Sequence, residues 1–154
     1  MKTAYIELNT TNQIQSLSAK DSTDSFVYLG IHMFPSAKIT SLQEILNKEF
    51  DCFILDMGVL TNYTAMEFSK CQKKFLVCSF CEWKKCISLK KIQELFQQTN
   101  LNREDLILLK TFENKSTDSM FFSMHAKTFP PLANPFQIPV DMFRDLNCLL
   151  FNTK

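Results

Sequence analysis

Glycine is almost absent from this 154-residue sequence, which contains only Gly30 and Gly58. Loops that bind phosphate through the backbone need several closely spaced glycines, because the chain must turn sharply and approach the phosphate. The sequence therefore encodes neither a P-loop nor a dinucleotide-binding loop. These residues alone do not supply the phosphate cradle of a nucleotide-hydrolysing enzyme.

An excess of charge and a long apolar run are also missing. Lys and Arg number 17 against 16 Asp and Glu, a net charge of +1. This balance gives no attraction to nucleic acid or to an anionic membrane. No apolar run has the length needed to cross a bilayer, and Glu7 stands where a signal peptide would need apolar residues. We predict a cytoplasmic protein with no nucleic-acid and no membrane partner.

Hydrophobic residues make up 45% of the chain and include 15 phenylalanines. This content and length predict a single domain, residues 1–154, with a substantial core. The six cysteines are expected to be free thiols in the cytosol. Cys78 and Cys81 form one C-x-x-C pair, for which a zinc or redox site is the alternative, but Cys78 lies inside an apolar run typical of a buried strand. We predict no metal site and no catalytic residue.

Short apolar runs alternate with helical patterns along the chain, which predicts an α/β fold with a layered, mainly parallel β-sheet and helices on both faces. A helix at 41–48 is expected to be capped by Thr40 or Ser41, and a helix at 88–98 by Ser88. A last helix begins near Val140, with Phe143, Leu146 and Leu150 on its apolar face. The predicted strands are 4–8, 52–55, 74–80, 106–109 and a weaker one at 120–124. Residues 26–34 are predicted to form a strand or a hairpin, with Gly30 as a bend or bulge and Pro35 ending it.

The stretch Phe50-Asp51-Cys52-Phe53-Ile54-Leu55-Asp56-Met57-Gly58 organises the rest of the prediction. A continuous apolar run suits a strand that is buried on both faces. Ligands of parallel sheets bind beyond the carboxyl ends of the strands, where Asp56 and Gly58 would lie. The simpler interpretation is a strand that ends in an ordinary Asp–Gly turn.

Three segments taken in order resemble the MinD/ParA family of P-loop ATPases. Ala4-Tyr5-Ile6-Glu7-Leu8-Asn9 resembles the family's second strand, and the stretch 50–58 resembles its Walker B strand. Lys74-Phe75-Leu76-Val77-Cys78-Ser79-Phe80 resembles the strand that follows. The resemblance implies a P-loop-NTPase-like fold. It covers about residues 4–112, and the strand, loop and helix that carry the family's Walker A motif would lie before Met1.

The resemblance implies a few candidate nucleotide-binding residues. Asp56 matches the Walker B aspartate, which would hold Mg²⁺ through water, and Gly58 would donate its N–H toward a terminal phosphate. Glu7 and Asn9 stand where the second strand carries acids, although Asn9 is not an acid. Because Mg²⁺ needs substrate phosphates beside one or two carboxylates, we expect no cofactor. ATP with Mg²⁺ would bind only if a P-loop were supplied upstream or in trans.

Because the family's first strand is not encoded in these residues, we consider three alternative expectations. The remaining strands close up, a second chain fills the gap, or the protein begins upstream of Met1, which the abrupt first strand favours slightly. The leading functional prediction is a degenerate or truncated MinD/ParA-like domain that works by protein contact as a regulatory or assembly partner, through another protein or as a homo-oligomer. The alternatives are an ATPase with an upstream P-loop segment and an unrelated flavodoxin- or receiver-like domain.

Overall fold

The computed structural model describes residues 1–18, 25–79, 81–110, 125–128 and 138–151. The chain divides into two compact units, Met1–Thr64 and Ala65–Lys154, and the boundary falls inside one helix. Within the described residues are four α-helices and seven strands, and four of the five strand pairings are parallel. The predicted α/β class with mainly parallel pairing is confirmed. The expectation of one domain over 1–154 stays a prediction.

The first unit contains the elements β1 (Thr3–Glu7), β2 (Phe26–Tyr28), β3 (Ile31–Phe34), α1 (Ile39–Leu46) and β4 (Cys52–Asp56), with a 3-10 turn at Ile14–Leu17. Its four strands form one sheet in the order β2-β3-β1-β4. β1 pairs in parallel with β3 on one side and with β4 on the other, so no gap separates β1 from β4. The core of this unit includes Ala4 and Ile6 of β1 and Leu42 and Ile45 of α1, all of which are buried.

The predicted bend at Gly30 is the turn of a β-hairpin. β2 and β3 pair antiparallel, and Leu29 and Gly30 between them both have positive φ, 49° and 79°. Two consecutive left-handed residues form the tight turn whose twist matches that of paired strands. β3 ends at Phe34, the predicted end of the 26–34 region, and Pro35 follows it directly.

The predicted caps of α1 are wrong. The helix begins at Ile39, and Lys38 precedes it without a side-chain cap, so Thr40 and Ser41 lie within the first turn. The Ser41 hydroxyl instead donates to the Lys38 carbonyl at 2.9 Å. Burial of Leu42 and Ile45, rather than a side-chain cap, stabilises this helix.

β4 has the predicted position but not the predicted burial. Its residues are partly exposed, and the Ile54 side chain is 45% exposed. The expectation of a strand buried on both faces is therefore wrong. β4 is the last strand of its four-stranded sheet, and in such a strand an apolar run does not require cover on both faces.

The second unit contains the elements β5 (Lys74–Cys78), α3 (Glu82–Gln98), β6 (Leu106–Lys110), β7 (His125–Thr128) and α4 (Val140–Phe151), and α2 (Asn62–Lys70) contains the boundary between the units. Its strands form a three-stranded sheet in the order β5-β6-β7, with all pairings parallel. Its core includes Ile92 and Leu95 of α3 and the fully buried Leu106 and Leu108 of β6. The strand predicted at 120–124 and residue Phe80 lie outside the described residues.

Two helix predictions in the second unit are corrected. α3 begins six residues before Ser88, whose hydroxyl donates to the Ser79 carbonyl at 2.9 Å rather than capping the helix. α4 begins at Val140 as predicted but buries Met142, whereas Phe143 is 60% and Leu150 45% exposed. The described residues contain no helix with both the length and the apolarity to cross a bilayer.

Candidate functional site at the carboxyl edge of the first sheet

The carboxyl ends of β1, β3 and β4 meet at one edge of the first sheet. Glu7 and Asp56 are register partners at the ends of β1 and β4. The Leu8 N–H donates to the Asp56 carbonyl at 2.8 Å, and the Ala37 N–H donates to the Glu7 carbonyl at 2.8 Å. These bonds join the loop after β1 to the end of β4, and the turn after β3 to the end of β1. This edge is where ligands bind in open parallel sheets.

Glu7 is fully buried, with 0% of its surface exposed. Its Oε1 accepts a hydrogen bond from the Gln13 backbone N–H at 2.8 Å and from the Thr11 hydroxyl at 3.5 Å. Its Oε2 accepts from the Ser36 backbone N–H at 3.3 Å. The carboxylate therefore connects the loop after β1 to the turn after β3, and its donors belong to this chain.

Asp56 is partly buried, and each of its carboxylate oxygens also accepts a bond from this chain. Oδ2 accepts from the Tyr5 hydroxyl at 2.7 Å, and Oδ1 accepts from the Gly58 N–H at 2.9 Å. Burial raises the pKa of the Tyr5 phenol above its ordinary value, and the hydrogen bond to Asp56 raises it further. A neutral phenol and a carboxylate acceptor thus form the pair at this position.

Gly58 lies directly against Asn9. Its φ is +57°, and a β-carbon added to it would stand 2.7 Å from the Asn9 Cβ. Asn9 Oδ1 accepts from the Thr11 N–H at 2.9 Å and also from the Thr11 hydroxyl, so the amide organises the loop after β1. The structure therefore brings together all four predicted site residues: Glu7, Asn9, Asp56 and Gly58.

Each of the three loops at this edge contains a residue with left-handed backbone. These residues are Asn12 after β1 (φ 53°), Ser36 after β3 (φ 48°) and Gly58 after β4 (φ 57°). The Ser36 hydroxyl donates to the Asn12 side chain, which joins the first two loops a second time. Beside Ser36 lies an open depression of about 300 Å³, whose lining includes Lys38, Ser41 and Ile45.

Three participants in this network carry no signal in the sequence. Tyr5 has the pattern of an ordinary strand residue, and the backbone donors Gln13 and Ser36 are 6 and 29 residues from Glu7 in the chain. A backbone N–H carries no residue-type signature, so spacing cannot identify it. The strand register, which aligns Glu7 with Asp56, has to be known first.

The segment that follows β4 at this edge exposes large hydrophobic side chains. Val59 is 84% exposed and Tyr63 is 83% exposed, and both lie just after Gly58. Thr61 and Thr64 bond reciprocally at the start of α2, with the Thr61 N–H donating to the Thr64 hydroxyl at 2.9 Å and the Thr64 N–H to the Thr61 hydroxyl at 3.3 Å. This arrangement resembles a capping box, and it orders the segment that displays Val59 and Tyr63.

The C-x-x-C pair predicted from the sequence, Cys78 and Cys81, consists of two free cysteines. All six cysteines of the chain are free, and burial raises the pKa of the Cys78 thiol to about 11. Cys81, which directly precedes α3, has its sulfur 3.2 Å from the Ser79 hydroxyl. The part of the chain that the structure describes contains no group of three or more His, Cys, Asp or Glu residues placed to hold a metal ion.

The donor set at the edge fits a nucleotide poorly. Two carboxylates stand at this edge, and the N–H groups of Leu8, Gln13, Ser36 and Gly58 donate to groups of the chain itself. Phosphate sites instead present backbone N–H groups and cationic side chains to the ligand.

In comparisons with known proteins, no family model, no curated protein and no solved structure matches this chain.

Proposed function

We propose that this chain is a MinD/ParA-like, P-loop-NTPase-like α/β protein without a phosphate-binding loop, and that it works through protein contact as a regulatory or assembly partner. One observation carries the proposal. At the carboxyl edge of the first sheet the polar groups bond to one another, while Val59 and Tyr63 beside them are exposed. Exposed apolar residues beside a satisfied polar edge favour a protein contact over a small anionic ligand.

Calorimetric titration with ATP and Mg²⁺ tests the first half of this proposal. We expect no binding, because neither Asp56 oxygen is without a donor and no glycine-rich loop is present to hold the phosphates. Micromolar binding by these 154 residues would contradict the proposal. An in-frame G-x-x-x-x-G-K-S/T segment in the DNA upstream of codon 1 would favour the ATPase alternative instead.

Affinity capture with matched variants tests the second half. The double variant Val59→Ser, Tyr63→Ser removes the apolar surface after β4, and Val27→Ser, Leu29→Ser removes comparably exposed residues of the hairpin. We expect a partner identified by mass spectrometry to be lost with the first variant and retained with the second. Retention with both variants would show that the contact lies elsewhere.

A flavodoxin-like domain is a second candidate, because one topological observation favours it. β1 lies between β3 and β4 and pairs with both in parallel, which matches the first three strands of the flavodoxin order. FMN binds at the corresponding edge in that fold. Quenching of FMN fluorescence by the protein would support this candidate, and unchanged fluorescence would favour the contact module.

A further inference from the structure

Glu7 is a fully buried carboxylate that neither a metal nor a salt bridge in the described residues accounts for. Burying an ionised carboxylate is costly unless donors replace the water it loses. Here the Gln13 N–H at 2.8 Å, the Ser36 N–H at 3.3 Å and the Thr11 hydroxyl at 3.5 Å replace that water. The arrangement is that of an anion in a cradle of backbone N–H groups.

Two residues in the loops that supply these donors have left-handed backbone, which favours anion binding by backbone N–H groups. Ser36 has left-handed φ, and Asn12 immediately before Gln13 does too, although neither residue is glycine. Consecutive residues of alternating handedness form concave sites whose N–H groups converge on an anion. Gln13 is right-handed (φ −67°, ψ −40°), so Asn12 and Gln13 form such a pair in the loop after β1. The Ser36 N–H completes the cradle from the turn after β3, and the Glu7 side chain fills it.

We propose that Glu7 is a built-in anionic ligand, and that the cradle formed by Thr11, Gln13 and Ser36 is a carboxylate-binding site which this chain occupies with its own side chain. The inference goes beyond the proposed function and does not depend on it. The Glu7 carboxylate joins the two loops as a bound carboxylate would. Removing it while keeping the loops leaves a site for a small carboxylate of the same size.

Glu7→Ala with added acetate tests the proposal, because the atoms that the substitution removes correspond to an acetate ion. Thermal unfolding of the variant is measured with acetate, with its neutral isostere acetamide, and with sodium chloride at the same ionic strength. We expect acetate alone to raise the Tm of Glu7→Ala, by about 4 °C or more, and to affect the unsubstituted protein no more than chloride does. Equal effects of acetate, acetamide and chloride on a folded Glu7→Ala would overturn the proposal. Inorganic phosphate at the same ionic strength is a fourth additive, and a larger effect of phosphate than of acetate would overturn the selectivity for carboxylates.

Glu7→Gln keeps the test decisive if Glu7→Ala does not fold. Glutamine preserves the shape but replaces one acceptor oxygen with an N–H₂ group, which would face a backbone donor. We expect hydrogen exchange at the Gln13 and Ser36 amides to accelerate at least tenfold in this variant. Glu49→Gln, on the exposed Glu49, is the matched control and should leave both amides protected. Unchanged protection of both amides in Glu7→Gln would show that the negative charge has no role there.

Discussion

At the scale of single residues, the bond from the Tyr5 hydroxyl to Asp56 connects two neighbouring strands through their side chains at 2.7 Å. We expect Tyr5→Phe to lower the free energy of unfolding by about 1–2 kcal/mol, because the partly buried carboxylate loses a donor. Urea denaturation measures this change. Tyr63→Phe, at an exposed phenol, is the control and should have no effect.

The same bond predicts a dependence of stability on pH. The folded pKa of Tyr5 is raised above its unfolded value of about 10, so its contribution to stability is complete below that pH and is lost as pH rises through the folded pKa. The stability difference between the protein and Tyr5→Phe should therefore narrow above about pH 10. Ultraviolet absorbance of tyrosinate should also show one late-titrating tyrosine that is missing from Tyr5→Phe. A difference that widens with alkaline pH would contradict this account.

At the scale of secondary-structure elements, the turn after β4 depends on Gly58. Gly58→Ala would force a left-handed alanine and place its Cβ 2.7 Å from the Asn9 Cβ. We expect a loss of roughly 2 kcal/mol or more in unfolding free energy. Gly30→Ala separates backbone strain from steric overlap, because the φ of Gly30 is +79° but nothing lies within 4 Å of the added carbon. It should cost only about 1 kcal/mol.

Combining Gly58→Ala with Asn9→Gly tests the contact directly. The double variant removes the steric overlap but keeps the backbone strain. Its loss of stability should therefore be smaller than the sum of the losses measured for Gly58→Ala and for Asn9→Gly alone. Purely additive losses would mean that the strain at φ +57° accounts for the whole effect of Gly58→Ala.

The position of most elements could be predicted from the sequence, whereas their buried faces could not. Strand and helix periodicity located β1, β4, β5, β6 and α4 to within a few residues. The exposure of Ile54 and the orientation of α4 depend on which elements pack nearby, and an apolar run does not contain that information. Likewise, Asp56 was a candidate because it ends a strand, and Glu7 only because of the family resemblance, whereas their hydrogen-bond donors depend on the strand register.

α4 provides a direct test of this point. The sequence predicted an apolar face that includes Phe143, whereas the structure buries the neighbouring Met142 and leaves Phe143 60% exposed. We expect Met142→Ala to cost about 2–4 kcal/mol in unfolding free energy, and Phe143→Ala less than about 0.5 kcal/mol. Chemical denaturation of the two variants measures both values. A larger loss for Phe143→Ala would favour the face predicted from the sequence.

At the scale of the whole molecule, near-neutral charge coincides with exposed apolar side chains in both units. The net charge is +1, and large exposed residues include Val59 and Tyr63 in the first unit and Val140, Phe143 and Phe151 in the second. A net charge close to zero provides little repulsion between copies. Self-association of this chain should therefore be controlled by apolar contact rather than by charge.

Sedimentation velocity at rising protein and salt concentrations tests this expectation. We expect weak association that depends on protein concentration. Sodium sulfate at about 0.5 M should strengthen this association, because excluded salts favour the burial of apolar surface. Val59→Ser with Tyr63→Ser and Phe143→Ser with Phe151→Ser assign the contact to one unit, because each pair reduces only its own surface. If salt dissociates the complex, the contact is electrostatic and the apolar surfaces are not its cause. If the chain stays monomeric at every concentration, these surfaces do not bind a second copy, and the proposed contact requires a different protein.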